Sequence, residues 1–390
     1  MMTTWSSHWP DIQPELLALV LRRLPSLADR VRLRAVCRPW RYNAQLEPLP
    51  PPLPWLGLLD GTFLSILGGE IYHMPVLDGV SCHGSMDNWL FVHNDGGCAL
   101  MNPFSKATLQ LPNLVGIWHH EMRYACTGHS LLYKLVVPSS VSLTSDSLVV
   151  ALVTDSYFSG TICICQSRIA TVINNDIKNI VDVAFFDGKL YFLNLDQHLF
   201  VLEIGKGHNG NPKISAIRSI VDSIEYPRPV LCLQSDDERC AYVFCNYLVE
   251  SAGKLLYVRR RIGILVPFTY EHVLFARTHS FAVFEADLTA DSCREWRSVN
   301  TLRGQALFVG RCSKSLPAAE CGHCGVQEDC VYFISDYNKS NPNVDPLRDS
   351  GVFNMRNGTI TPLLPETVVV QMQGLKPGRR TWFFPTDEAM

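Results

Sequence analysis

The sequence is poor in charge and has no long apolar run. Asp, Glu, Lys and Arg make up 18% of the 390 residues and nearly cancel, leaving a net charge of −3. Nucleic-acid binding needs a clustered basic surface to replace phosphate counterions, so this balance speaks against a nucleic-acid partner. No stretch approaches the run of about eighteen apolar residues that reads as a membrane span. Met1 to Pro10 lacks a cationic stretch followed by an apolar one, so neither membrane insertion nor a secretion signal is expected. Long amphipathic helices are missing after residue 46, which argues against βαβ units.

The motifs that carry chemistry are incomplete as well. Gly128-His129-Ser130 lacks the second glycine of a nucleophile elbow. Gly205-Lys206-Gly207 is a turn without the phosphate-cradling pattern. Cys321-Gly322-His323-Cys324, with Cys330 nearby, offers one C-x-x-C pair but no second pair at zinc spacing. His119-His120-Glu121 reads as a surface loop and Asp236-Asp237-Glu238 as a solvated turn. No catalytic residue, cofactor or metal is therefore assigned.

Hydrophobic residues reach 47%, enough for a sizeable core. Fourteen cysteines without a secretion signal read as reduced thiols, which places the chain in the cytoplasm or nucleus. Charge is unevenly spread: residues 1–46 carry seven arginines and a net +4, and the remainder carries −7. A short basic module on an acidic body suggests that the module meets an acidic partner, or that it has a solvated arginine face. Arg259-Arg260-Arg261 reads as a basic run at a strand end, either a solvated edge that discourages strand pairing or a contact for an acidic target.

Residues 8–46 hold the helical signal. Pro14 suits a first helical turn. Leu16, Leu17, Val20, Leu21 and Leu24 follow at helical spacing, and Pro25 ends the helix. Ser26 to Asp29 is an S-x-x-D start signal for a second helix, with Leu27, Val31, Ala35 and Val36 as its buried face and Arg30, Arg32, Arg34 and Arg38 outside it. Pro39 breaks or kinks the chain before Trp40. Some thirty-five residues of short helices bury little core alone, so a partner or a neighbouring domain should cover them. Residues 47–54 are proline-rich and read as a stiff spacer.

From residue 55 to 390 the pattern becomes short apolar or alternating runs divided by Gly, Asn and Asp turns. Asn94-Asp95-Gly96-Gly97, Asp187-Gly188, Ala252-Gly253 and Arg356-Asn357-Gly358 each separate two such runs, and Asp-Gly and Asn-Gly in that place are the strongest short hairpin signals. Roughly two dozen strands fit an antiparallel β-propeller of about six four-stranded blades better than two stacked sandwiches. The fold class is thus mainly β with a small all-α N-terminal module.

The residues Trp9-Pro10-Asp11-Ile12-Gln13-Pro14-Glu15-Leu16-Leu17, Leu24-Pro25, Asp29-Arg30-Val31-Arg32 and Val36-Cys37-Arg38-Pro39-Trp40-Arg41 resemble an F-box, whose usual pattern is L-P-x-E-L-L, L-P, D-L-x-R and V-C-x-x-W. Ile12-Gln13-Pro14 replaces a plain Leu-Pro, and Arg30 displaces the usual leucine. Further on, Asn102-Pro103-Phe104, Phe186-Asp187-Gly188-Lys189-Leu190-Tyr191, Gly253-Lys254-Leu255-Leu256 and Cys330-Val331-Tyr332-Phe333 resemble plant F-box proteins with a C-terminal domain of unknown function 295, described as kelch-like or propeller-like.

The resemblance implies a non-catalytic substrate-recognition subunit of a cullin-RING ubiquitin ligase. Its F-box would bind a Skp-type adaptor and, through it, a cullin, while the β domain would select the target protein. It implies adaptor contacts from Pro14, Leu16, Leu17, Val20, Leu24 and Pro25, with Val31, Val36 and Trp40 extending the contact or holding the module together. The alternatives are a regulatory binding protein without ligase activity, or a propeller that binds a small ligand.

Overall fold

The computed structural model describes Trp9 to Thr386, except for 118–130, 223–230, 233–239, 266–275, 289–294, 337–346, 365–379 and shorter stretches between elements. Three short helices come first: α1 (Pro14–Arg22), α2 (Leu27–Arg34) and α3 (Arg38–Asn43). Pro14 opens α1, as its missing N–H allows. Pro39 opens α3 in the same way rather than breaking a helix.

The strands then form six sheets arranged as the blades of a propeller. Blade one comprises residues 55–73 with 381–383, blade two 81–110, blade three 132–172, blade four 180–221, blade five 231–299 and blade six 305–362. The hairpin turns fall where their residues permit positive φ. Asp187 and Gly188 have φ of 47° and 70°, and Ala252 and Gly253 have 48° and 73°. Two successive left-handed residues give the turn twist that matches paired strands.

Strand burial explains why many runs lack a clean alternation. Val149–Thr154 is buried at every position. Each blade is sandwiched between two others, so both faces of its strands need apolar side chains. In blade one, Leu56 and Leu64 pack towards Phe308 and Tyr332 of blade six, while Trp55 and Phe63 pack towards Leu90 and Val92 of blade two. Four further clusters fill the joints between blades two and three, three and four, four and five, and five and six.

The ring is closed by Thr381–Phe383, which pairs with Trp55–Gly57 and is the inner strand of blade one. Buried polar ties reinforce this closure: Ser85 Oγ lies 2.7 Å from Thr381 Oγ1, and Trp382 Nε1 donates to the Val309 carbonyl at 3.0 Å.

Blade six departs from a purely antiparallel pattern. Gln305–Val309 runs parallel to Cys330–Phe333. The chain turns back as Lys314–Pro317, passes through the helical turn Ala318–Cys321, and re-enters the sheet in the same direction as before. At the base of this blade Asp329 accepts hydrogen bonds from Thr301 Oγ1 at 2.9 Å, from the Leu302 N–H, and from Arg356 Nε at 2.8 Å.

Burial alone would raise the Asp329 carboxyl, but the Leu302 amide, Arg356 and Thr301 together hold it below its ordinary 3.8. A carboxylate with a depressed folded-state pKa stabilises fully above its unfolded value and loses that contribution as pH falls through the folded value. Asp329→Asn should therefore lower stability near neutral pH. The gap between wild type and variant should shrink as denaturation curves are repeated at pH values below 3.8.

The basic run 259–261 lies inside a sheet, not at an edge. Its strand, Lys254–Leu265, is paired on both sides, by Cys240–Ser251 and by Arg277–Ala286. Gly205 and Lys206 likewise belong to the strand Leu199–Lys206 instead of a turn.

The helices sit on the ring. Leu27 is 1% exposed and joins the cluster between blades one and two. In the proline-rich segment, Leu49 packs against the helical core and Leu53 against the joint of blades six and one. The described part of 47–54 is therefore anchored at both ends instead of spanning open space.

Candidate functional site

The helical module has a core of Leu17, Leu21 and Ala44, with Ile12, Leu24, Leu33, Trp40 and Leu49 packed around it. Trp40 Nε1 donates to the Trp9 carbonyl at 2.8 Å, tying the start of the module to α3. Arg30 is 1% exposed, and its Nε donates to the Leu24 carbonyl at 2.8 Å. This departs in part from the expected polarity of α2: Leu27 faces inward as expected, but so does Arg30, whereas Val31, Ala35 and Val36 are exposed.

α1 is apolar on two faces. Leu17, Ala18 and Leu21 point into the module, while Leu16, Leu19 and Val20 lie outside at 49%, 51% and 43% exposure. Among the described residues there are twelve exposed large hydrophobics. Eight of them are Trp9, Leu16, Leu19, Val20, Val31, Val36, Tyr42 and Leu46, all in this module. Scattered surface leucines are ordinary, but such a concentration on one small module marks an interaction surface. Exposed Arg23, Arg32, Arg38 and Arg41 add positive charge.

Of the residues singled out from sequence, Leu16, Val20, Val31 and Val36 are on this outer surface. Leu17 is wholly inside, and Leu24 and Trp40 belong to the module's own core. Pro14 is half-buried, and Pro25 lies outside the described residues. Sequence reading omitted Leu19, although it follows Leu16 by three positions and so shares its helix face. It also omitted Tyr42, Leu46 and the exposed side of Trp9.

Among the described residues the ring buries few charged groups, and those it buries are paired. Lys134 Nζ of blade three meets the Asp182 carboxylate of blade four at 2.7 Å, and the Leu248 N–H of blade five donates to the same carboxylate at 2.6 Å. Burial nevertheless raises the Asp182 pKa against the pull of Lys134 and the backbone amide.

Arg260 is 0% exposed. Its Nε donates to Thr278 Oγ1 at 2.8 Å, Nη1 to the Ile334 carbonyl at 2.6 Å, and Nη2 to Asp349 Oδ2 at 2.8 Å. Asp336 lies 3.4 Å from Nη1 and also accepts from Tyr247 OH at 3.0 Å.

Burial pushes the Cys245 thiol up to about 12 and those of Cys312 and Cys330 to about 11, so these sulfurs remain protonated and poorly nucleophilic. Among the described residues no group of three His, Cys, Asp or Glu side chains is placed to hold a metal ion. The 119–121, 128–130, 236–238 and 322–324 motifs lie outside the described residues.

A family described as the KIB1-4 beta-propeller matches residues 63–354, from blade one into blade six. Two relatives from Arabidopsis thaliana, both named as F-box proteins, are similar to this chain. One is 30% identical over 140 residues, covering 33% of this chain and 37% of the relative. The other is 24% identical over 358 residues, covering 85% of this chain and 97% of the relative.

Proposed function

Because this chain belongs to the KIB1-4 beta-propeller family, we propose that it is an F-box substrate receptor of a cullin-RING ubiquitin ligase. The helical module docks on a Skp-type adaptor, and the ring holds the protein to be modified. The observation that carries this reading is the outer surface of the module. Leu16, Leu19, Val20, Val31 and Val36 are exposed on a helical module whose own core is already filled. Apolar surface of this kind gains stability by burial against a partner groove, at about 25 cal/mol per Å². The arginines around it favour an acidic adaptor and act chiefly on the rate of association.

The protein's role is then positional. Leu27 packs between blades one and two, and Leu53 between blades six and one, so the docking module is held at a defined place on the ring. A receptor built this way presents its target in a restricted orientation to the rest of the ligase. It needs no chemistry of its own and works in the cytoplasm or nucleus. Co-expression with a Skp-type adaptor and a cullin tests the proposal. A complex of all three that survives gel filtration is expected. An adaptor that elutes apart from the folded chain overturns it.

A further inference from the structure

At the mouth of the central channel Arg311 stands outside every ion pair among the described residues, beside the pair Lys134–Asp182 and an Arg260 that is shared by Asp336 and Asp349. Arg311 follows Gln305–Val309 of blade six, and its Nη1 reaches Thr154 Oγ1 of blade three at 3.5 Å. In a ring of six these blades are opposite, so the side chain crosses the axis. Its Nε is buried and has no hydrogen-bond partner among the described residues. A buried donor left unmade costs free energy that an acceptor from outside would recover.

Arg311 lines a cavity of about 30 Å³ together with Asn246, Phe244, Leu195, Asp182 and Asp336. Of the two carboxylates there, Asp182 is held by Lys134 and the Leu248 N–H, whereas Asp336 shares Arg260 with the nearer Asp349 and accepts from Tyr247 OH. Asn246 uses its oxygen to accept from Tyr257 OH at 2.9 Å, and its amide nitrogen has no partner among the described residues. What the cavity offers a visitor is thus two sets of N–H donors, one of them charged. The volume holds two or three water-sized atoms, which suits the head of a carboxyl group and not a ring.

The rim extends this character outward. The strands Cys240–Ser251 and Lys254–Leu265 of blade five are each twelve residues long, and among the described residues no other strand is longer. Towards the ends away from their turn they carry stacked cations. Arg259 lies over Phe244 at 5.1 Å, and Arg261 lies over Tyr242 at 3.6 Å. Phe244 lines the cavity as well, so it joins the pocket to this basic, aromatic ledge. Leu195, 46% exposed, provides apolar surface on the blade-four side.

We infer that the channel mouth binds a carboxylate, supplied by an acidic side chain of the protein segment that the ring recognises, with Arg311 and Asn246 as its donors and the blade-five ledge under the adjoining acidic residues. The inference rests on the receptor reading above and names the chemistry of its target.

The test uses the full chain and fluorescence anisotropy with labelled hexaglutamate and hexaglutamine peptides. Hexaglutamate should bind more tightly. Arg311→Met should weaken it about tenfold, and Asn246→Asp, which sets a negative charge in the pocket while keeping Arg311, should do the same. Arg218→Gln, whose side chain pairs with Glu203 on blade four, should bind as wild type does.

Equal affinity for the two peptides overturns the inference, and so does wild-type binding by both pocket variants or an equal loss in Arg218→Gln. If Arg311→Met fails to fold, Asn246→Asp decides. Displacement of hexaglutamate by inorganic phosphate but not by acetate would reassign the pocket to phosphate and overturn the carboxylate. Adaptor binding measured on the same preparation separates the two readings: peptide failure with an intact adaptor complex removes only the pocket.

Discussion

Leu16→Asp is expected to weaken binding of a Skp-type adaptor about a hundredfold, close to 3 kcal/mol, with no change in thermal midpoint. Leu16 is 49% exposed and makes no part of the module's core. In the free protein an aspartate there stays in water. In the complex it must be desolvated against an apolar groove without a counter-charge, which adds to the lost burial of the leucine. Isothermal titration against purified adaptor, paired with a thermal melt, reads both halves.

Leu17→Asp provides the contrast. Leu17 is 0% exposed between Leu21 and Ala44, so its replacement should remove adaptor binding and helical order together. Equal adaptor affinity for wild type and Leu16→Asp would place the docking surface elsewhere.

The second large effect is on the ring. Arg260→Met should cost about 3–5 kcal/mol of unfolding free energy, the usual penalty for breaking a buried ion pair from one side. The guanidinium holds Asp349 and Asp336 through the same plane that reaches Thr278 and the Ile334 carbonyl. Methionine fills much of the volume but leaves two carboxylates in the joint between blades five and six without their cation. Arg260→Lys keeps the charge, yet an ammonium cannot reproduce the forked contacts, so an intermediate loss is expected. Urea denaturation reads both variants. A shift in midpoint with unchanged slope assigns the loss to stability alone, and a stability within 1 kcal/mol of wild type for Arg260→Met would contradict the account.

Local chemistry made part of this architecture legible. Asp187-Gly188 and Ala252-Gly253 announce their hairpins because left-handed backbone is a property of the turn residues themselves. The mainly β propeller followed from such turns and from the number of strands, and its short helical start from apolar residues at helical spacing. Arg260 was beyond that reach. Its sequence neighbours Arg259 and Arg261 are only half-buried, and its burial is decided by carboxylates 76 and 89 positions away.

α2 was misassigned for a related reason. Helical period says which residues share a face, but not which face meets the body. Arg30 turns inward because the Leu24 carbonyl accepts from its Nε, and Val31 and Val36 are left outside. The parallel pair in blade six was equally hidden, because it depends on the route of the chain through Lys314–Pro317 and Ala318–Cys321. No role for Arg311 was legible either, since blade three supplies the residue it reaches.

The pairing of Trp55–Gly57 with Thr381–Phe383 also sets a timetable for synthesis. The three helices leave the ribosome ahead of the ring, whereas blade one lacks its inner strand until residues 381–383 have followed. During that interval Trp55, Phe63 and Leu56 have no Phe383 or Trp382 to cover them. An immature chain can thus complete its helical module before the ring beneath it has closed. A stop codon just upstream of Thr381 should leave an open ring with sticky ends, a species that cellular quality control would remove.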